Sequence, residues 1–291
     1  MKIALRHVIA VLILALQAGS ALAVMQVHNL GVSAGLANGY VRDICQDMDG
    51  YVWIATNDGL SRFDGHGFIN YNKNNSGLSG NELNSLAVCA AEPDKLWIAT
   101  QRNGLCYYDC RTGKIEQVNG DVLRSPDITS IVPAADGGLW FTHYHFGVQY
   151  YNPSTGESRI YDSSNVSGMP TQTWTVAEGD GGQLYIGHIG GGLSVFDPKT
   201  YSIKNYTYSP ADKASLPGRN VYSVCIDRSG GVWVGTENGA ALLNPRSGTL
   251  TPFVHDDSNP ASIAPGQVWD IRQLENGELG FGTSQGGGER T

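Results

Sequence analysis

One phrase recurs along this chain at a nearly fixed interval, and that interval limits the fold more than any other feature. GYVWIATNDGLSRFD (50–64) returns as KLWIATQRNGLCYYD (95–109), GLWFTHYHFGVQYYN (138–152), QLYIGHIGGGLSVFD (183–197) and GVWVGTENGAALLN (231–244). A sixth copy begins at ELGFGTSQGGG (278–288), and the sequence stops inside it. The anchors Trp53, Trp97, Trp140, Tyr185, Trp233 and Gly280 are spaced by 44, 43, 45, 48 and 47 residues. A period in the mid-forties, built from short β-type runs, predicts a β-propeller with about four strands per repeat.

Each copy parses in the same way. An apolar run opens it (41–47, 83–90, 128–134, 173–179, 221–227 and 268–274) and reads as the innermost strand of a blade. A glycine-bearing turn follows, as at Asp49-Gly50 or Asp180-Gly181-Gly182, and suits a tight hairpin. In the second strand, alternation puts Trp53 and Ala55 on one face and Val52, Ile54 and Thr56 on the other. The small residue two places after each anchor (Ala55, Ala99, Thr142, Gly187, Gly235, Gly282) suits close approach of neighbouring sheets. A third strand ends in an Asp or Asn turn such as Asn152-Pro153-Ser154-Thr155-Gly156, and a weaker fourth strand closes the unit. The expected architecture is all-β: a propeller of four-stranded blades, five full and a sixth lacking its third and fourth strands. A ring left open exposes strand edges, so the sequence reads as a truncated form of a longer propeller.

Composition narrows the function. Of 291 residues only 16% are charged, and the formal net charge is -8, which disfavours nucleic acid and other polyanions as partners and leaves neutral sugars open. Lys2 and Arg6 precede an apolar run from Val8 to Leu16, and Ala21-Leu22-Ala23 is a small-x-small cleavage site. Residues 1–23 therefore read as a signal peptide, with an uncleaved anchor as the alternative, and 24–291 as one repeat domain, exported to the periplasm, with no later membrane span. Cys45, Cys89 and Cys225 each stand eight residues before an anchor and read as packing residues. An oxidising compartment permits a disulfide between Cys106 and Cys110. No metal-ligand spacing, phosphate loop or nucleophile with its base stands out, so neither a metal nor a cofactor is expected.

Propellers bind ligands at a mouth of the central channel, where loops and inner-strand ends converge. Two register positions differ between repeats while the framework repeats. One lies eleven residues before the anchor: Arg42, Leu86, Thr129, Trp174, Tyr222 and Trp269. Aromatic faces there suit sugar rings, although packing between blades explains them as well. The other is the loop after the anchor strand: Asn57-Asp58, Gln101-Arg102-Asn103, His143-Tyr144-His145, His188 and Glu237-Asn238. Arg42, Asn57, Arg102, His143, Tyr144, His145, Trp174, His188, Tyr222, Glu237 and Trp269 are the candidate ligand-binding residues.

Residues 35–65 resemble the first blade of two-component regulator propeller repeats. The resemblance rests on Gly35-Leu36-Ala37-Asn38, Gln46-Asp47, Trp53-Ile54-Ala55-Thr56 and the segment from Gly59 to Gly65. It extends across roughly residues 30–288 through the recurring turns. The resemblance implies the periplasmic sensor module of a hybrid two-component system that detects oligosaccharides from polysaccharide breakdown. Full members carry further repeats, a transmembrane helix, a histidine kinase and a receiver. The kinase motifs are absent from this sequence, so the chain itself is expected to bind rather than to catalyse. Two other readings stay open. A propeller enzyme acting on glycans would draw its carboxylates from Asp43, Glu237 and Asp270. An interaction scaffold would recruit missing signalling domains or a second copy of the chain through exposed edges.

Overall fold

Alternating apolar residues and glycine turns fold as their period demands. The computed structural model describes residues 30–285 and 287–290, so the predicted signal peptide lies outside the described residues. Blade 1 comprises β1 (Val41–Gln46), β2 (Val52–Thr56), β3 (Gly59–Phe63) and β4 (Phe68–Tyr71). Blade 2 comprises β5 (Leu83–Cys89), β6 (Glu92–Thr100), β7 (Leu105–Asp109) and β8 (Lys114–Gln117). Blade 3 comprises β9 (Ile128–Pro133), β10 (Leu139–His143), β11 (Gly147–Asn152) and β12 (Glu157–Tyr161). Blade 4 comprises β13 (Thr173–Glu178), β14 (Leu184–His188), β15 (Gly192–Asp197) and β16 (Ser202–Tyr206). Blade 5 comprises β17 (Val221–Ile226), β18 (Val232–Thr236), β19 (Gly239–Asn244) and β20 (Thr249–Phe253). Blade 6 comprises β21 (Val268–Gln273), β22 (Leu279–Thr283) and β23 (Gly287–Arg290). Every sheet is an antiparallel meander in chain order, and the last has the third strand that the sequence did not predict. Among the described residues no helix is long and apolar enough to cross a membrane.

The first strand of each blade touches the first strand of the next, from β1 through β5, β9, β13 and β17 to β21, so these strands are innermost as expected. The anchors fill the space between sheets. Trp53 sits against Tyr108 of the following blade with ring centroids 4.6 Å apart, and Trp233 meets Phe281 of blade 6 at 5.6 Å. Glycine is required where strand three begins. At Gly59 (φ 108°) and Gly192 (φ 74°) a Cβ would overlap the Tyr71 and Tyr206 carbonyl oxygens, so only glycine lets the preceding loop stay short.

The first and last blades meet through side chains. Arg272 donates from Nη2 to Asp43 Oδ1 at 2.7 Å and from Nε to Asp270 Oδ2 at 3.1 Å. Asp43 also accepts from the backbone N–H of Ile44 and Leu86 and from Ser85 Oγ, so one carboxylate ties blades 1, 2 and 6. The outward face of β1 is less covered: Val41 is 42% and Ile44 47% exposed, while their register equivalents in blade 2, Leu83 and Leu86, are buried. Because Arg272 is itself half exposed, solvent screens the pair. Arg272→Ala should therefore lower stability by about 1 kcal/mol. Thermal unfolding at low and high salt checks this, since the gap to the wild type should narrow as salt rises. A gap that is absent at low salt would rule out the clasp.

The structure corrects one alignment. Blade 2 has a hairpin two residues longer, because Val88 pairs with Leu96 whereas Gln46 pairs with Val52. Ala87, not Cys89, is thus the equivalent of Cys45. Cys106 is buried in β7 with its Sγ 3.1 Å from Ser79 Oγ, while Cys110 lies past the strand end. Four residues of extended chain span about 13 Å, beyond the reach of a disulfide, and both thiols are free.

Candidate ligand-binding mouth

Every inner strand carries a β-bulge near its start, opposite the last residue of its partner. The register slips between Val41 and Asp43, Leu83 and Ser85, Ile128 and Ser130, Thr173 and Thr175, Val221 and Ser223, and Val268 and Asp270. The extra residues are Arg42, Asn84, Thr129, Trp174, Tyr222 and Trp269. A bulge leaves one residue out of the ladder and re-aims its side chain. Five of these six are the variable register position read from the sequence. The sixth is Asn84 rather than Leu86, which is buried in the core; the longer blade 2 hairpin displaced the count.

The bulges and the loops after the second strands share one mouth. Arg42 Nε donates to Asn57 Oδ1 at 2.9 Å. Tyr144 lies edge-on to Trp174 of the next blade, with centroids 6.3 Å apart, and against His145 at 4.5 Å. Tyr222 and Trp269 stack across blades 5 and 6 at 4.1 Å and 27°, and Trp269 remains 44% exposed. Burial raises the Asp127 carboxyl above its usual range, while the nearby charges of Arg102 and His145 pull it down. Asn84 Nδ2 donates to the Ile128 carbonyl, closing the arc between blades 2 and 3.

His143 and His188 lie elsewhere. Each is the last residue of a second strand and is fully buried. Thr56, Thr100 and Thr236 hold the same register in blades 1, 2 and 5 and donate to the carbonyl of the glycine at or just before the start of strand three. In blades 3 and 4 the histidines point to strand three instead: His143 Nε2 meets Gln149 Oε1 at 2.9 Å and His188 Nε2 meets Ser194 Oγ at 2.8 Å. They belong to the core and are out of reach of a ligand at the mouth.

The carboxylates open to an enzyme are already engaged. Asp43 and Asp270 hold Arg272, and Glu237 Oε1 accepts from the Arg219 backbone N–H at 2.9 Å. Among the described residues no group of three His, Cys, Asp or Glu is placed to hold a metal ion.

Residues 35–58 and 215–238 match the family model of the two component regulator propeller, so the chain carries repeats of that kind in blades 1 and 5. It is 30% identical over 184 residues to histidine kinase P4 of Formosa agariphila, across 60% of this chain and 13% of the kinase. Its fold superposes with a TM-score of 0.78 on a crystal structure described as the extracellular domain of a hybrid two component system of B. thetaiotaomicron. The identity there is 34%, over 90% of this chain and 35% of that one. Virginiamycin B lyase from Staphylococcus aureus shares the fold at TM-score 0.59 and 15% identity, over 87% of this chain and 84% of the lyase. This chain thus spans about a third of the first of these structures and a smaller part of the kinase.

Proposed function

We propose that this chain is the ligand-binding part of a two-component sensor, displayed outside the cytoplasmic membrane, and that it recognises oligosaccharides at the bulge mouth. The observation that carries this reading is the set of inner-strand bulges, which turn Trp174 out of the ladder beside Tyr144, itself against His145, and turn Tyr222 and Trp269 out of it against each other. Aromatic faces bury the apolar side of a sugar ring, and Arg42, Asn57, Asn84 and Arg102 supply polar groups for its hydroxyls. A rigid strand end fixes each group more closely than a free loop does. The partners already held by Asp43, Asp270 and Glu237 favour binding over turnover. On this reading the kinase and its output lie in other parts of the signalling protein, and binding is passed on through them or through a second copy.

Calorimetric titration of defined neutral oligosaccharides into the chain tests the proposal. Trp174→Ala and Trp269→Ala should each weaken affinity about tenfold, since stacking and burial of one ring face contribute about 1.4 kcal/mol. His188→Gln, in the core, should leave affinity unchanged. No saturable binding by any neutral oligosaccharide, or binding indifferent to both tryptophan changes, would reject the reading.

A further inference from the structure

The six bulge residues divide by chemistry around the mouth. Blades 4, 5 and 6 carry Trp174, Tyr222 and Trp269, whereas blades 1, 2 and 3 carry Arg42, Asn84 and Thr129. On the polar half, two of the three are committed within the fold. Asn84 Nδ2 donates to the Ile128 carbonyl at 2.8 Å, and Thr129 Oγ1 lies 2.8 Å from Thr142 Oγ1. Arg42 is exposed and uses one donor, Nε, on the neutral Asn57 Oδ1. That bond pins the guanidinium at one corner and leaves its Nη1–Nη2 edge without a partner among the described residues. The neighbouring acids are turned elsewhere: Asp58 accepts from Asn81 Nδ2, and Asp43 is held by Arg272. Arg111, Arg124, Arg159 and Arg272 each pair with a carboxylate, but Arg42 pairs with none. Arg102, in the loop of blade 2 that corresponds to Asn57, also lacks an ion pair, although Asp127 is near enough to feel its charge. Arg42 is thus an uncompensated cation fixed on a strand end.

From this division we infer that the bulge mouth selects an acidic oligosaccharide, one that carries a uronate carboxylate beside a ring able to stack. The inference rests on the mouth being the ligand site and adds the charge of what it takes. A planar carboxylate accepts two parallel N–H bonds from one guanidinium edge, whereas a hydroxyl offers neither the second parallel bond nor the charge. The aromatic half reads the face of a ring and is indifferent to that charge. The net charge of -8 acts against a long polyanion, but a short chain presents one carboxylate to one arginine and meets less of that field.

Calorimetric titration of glucuronosyl xylotriose and of trigalacturonate, each beside its neutral methyl ester, tests the assignment. At low salt at least one acid should bind about tenfold more tightly than its ester, and the preference should shrink as salt rises. Arg42→Gln should bring that acid down to the level of its ester and leave the ester unchanged. Arg42→Lys, which keeps the charge and loses the fork, should retain part of the preference. Trp174→Ala should weaken acid and ester by the same factor. Arg246→Gln removes a cation from the turn between β19 and β20, at the other end of the strands, and should change nothing. Equal binding of acid and ester that still depends on Trp174 overturns the inference and leaves the mouth as the ligand site. A preference that survives Arg42→Gln, or that falls equally with Arg246→Gln, overturns it too, since the charge is then read elsewhere or by the field of the whole protein. Binding of neither acid nor ester also overturns it, while titration of neutral oligosaccharides decides separately whether the mouth takes sugars at all.

Discussion

Asp47→Ala is expected to destabilise the domain by about 2 to 3 kcal/mol, read as a shift of the urea midpoint with an unchanged slope. The carboxylate of Asp47 is buried and accepts from three donors: the backbone N–H of Asp49 at 3.0 Å, that of Tyr51 at 2.9 Å and the indole of Trp53 at 2.6 Å. Alanine leaves all three unmet. The turn amides can turn to water, but the Trp53 ring is enclosed between blades 1 and 2, so its donor has no such exit. That asymmetry puts most of the loss on the indole. Asp227 repeats the arrangement in blade 5; burial pushes its carboxyl up, yet the bonds from Ser229, Trp233 and Gly231 outweigh that and hold it below the usual range. The reciprocal change, Ala134→Asp, gives Trp140 the acceptor it lacks and should stabilise by about 1 kcal/mol. Blade 1 already tolerates an acid at both equivalent turn positions, Asp47 and Asp49, so the neighbouring Asp136 is no obstacle. An Asp47→Ala loss below about 0.5 kcal/mol, within the range of an ordinary surface change, would show that the clamp is incidental.

The same clamp explains which parts of the site could be read from sequence. Strands and turns were legible because period-two alternation and glycine turns are local signals. The repeat family is matched only at blades 1 and 5, and these are the two blades in which aspartate holds the anchor indole. In blades 2, 3 and 4 the clamp residue has become Cys89, Ala134 and Gly179, so the fold persists while the motif fades. The bulges were not legible as bulges: an unpaired residue is a property of pairing between strands. Their side-chain variety nevertheless marked the position, except in blade 2, where two extra hairpin residues moved the count from Asn84 to Leu86. His143 and His188 were misplaced for a different reason. Polar residues after an apolar strand look like a loop, and only the partners six residues on, Gln149 and Ser194, make burial affordable.

Those two histidines should also make the domain sensitive to acid. Gln149 donates its amide to Ser158 and to the Val122 carbonyl, so its Oε1 is the acceptor and His143 carries its proton on Nε2. Ser194 Oγ donates to Asn205, so it accepts from His188 and fixes the same tautomer there. In both rings Nδ1 is buried without a partner, and a second proton would place an uncompensated charge in the core. Burial accordingly lowers the pKa of His188 to about 3, and burial lowers that of His143, against smaller opposing effects of Gln149 and the Asp127 backbone. The unfolded chain protonates near pH 6.5, above both folded groups. Stability is therefore complete above that pH and falls as pH drops from about 6.5 toward 3, because only the unfolded state takes up the protons. From pH 7 to 5 His188 alone should remove about 2 kcal/mol, at a limiting slope of about 1.4 kcal/mol per pH unit, with His143 adding to it. Aspartates and glutamates titrate in the unfolded chain near pH 4, so the interval from 7 to 5 isolates the histidines. Urea unfolding of the wild type and of the double variant His143→Gln, His188→Gln at pH 7, 6 and 5 separates the cases. The wild type should lose stability stepwise while the variant stays nearly flat, whatever its stability at pH 7. Parallel losses in the two proteins would mean that other groups carry the acid response and that these buried rings are not its source.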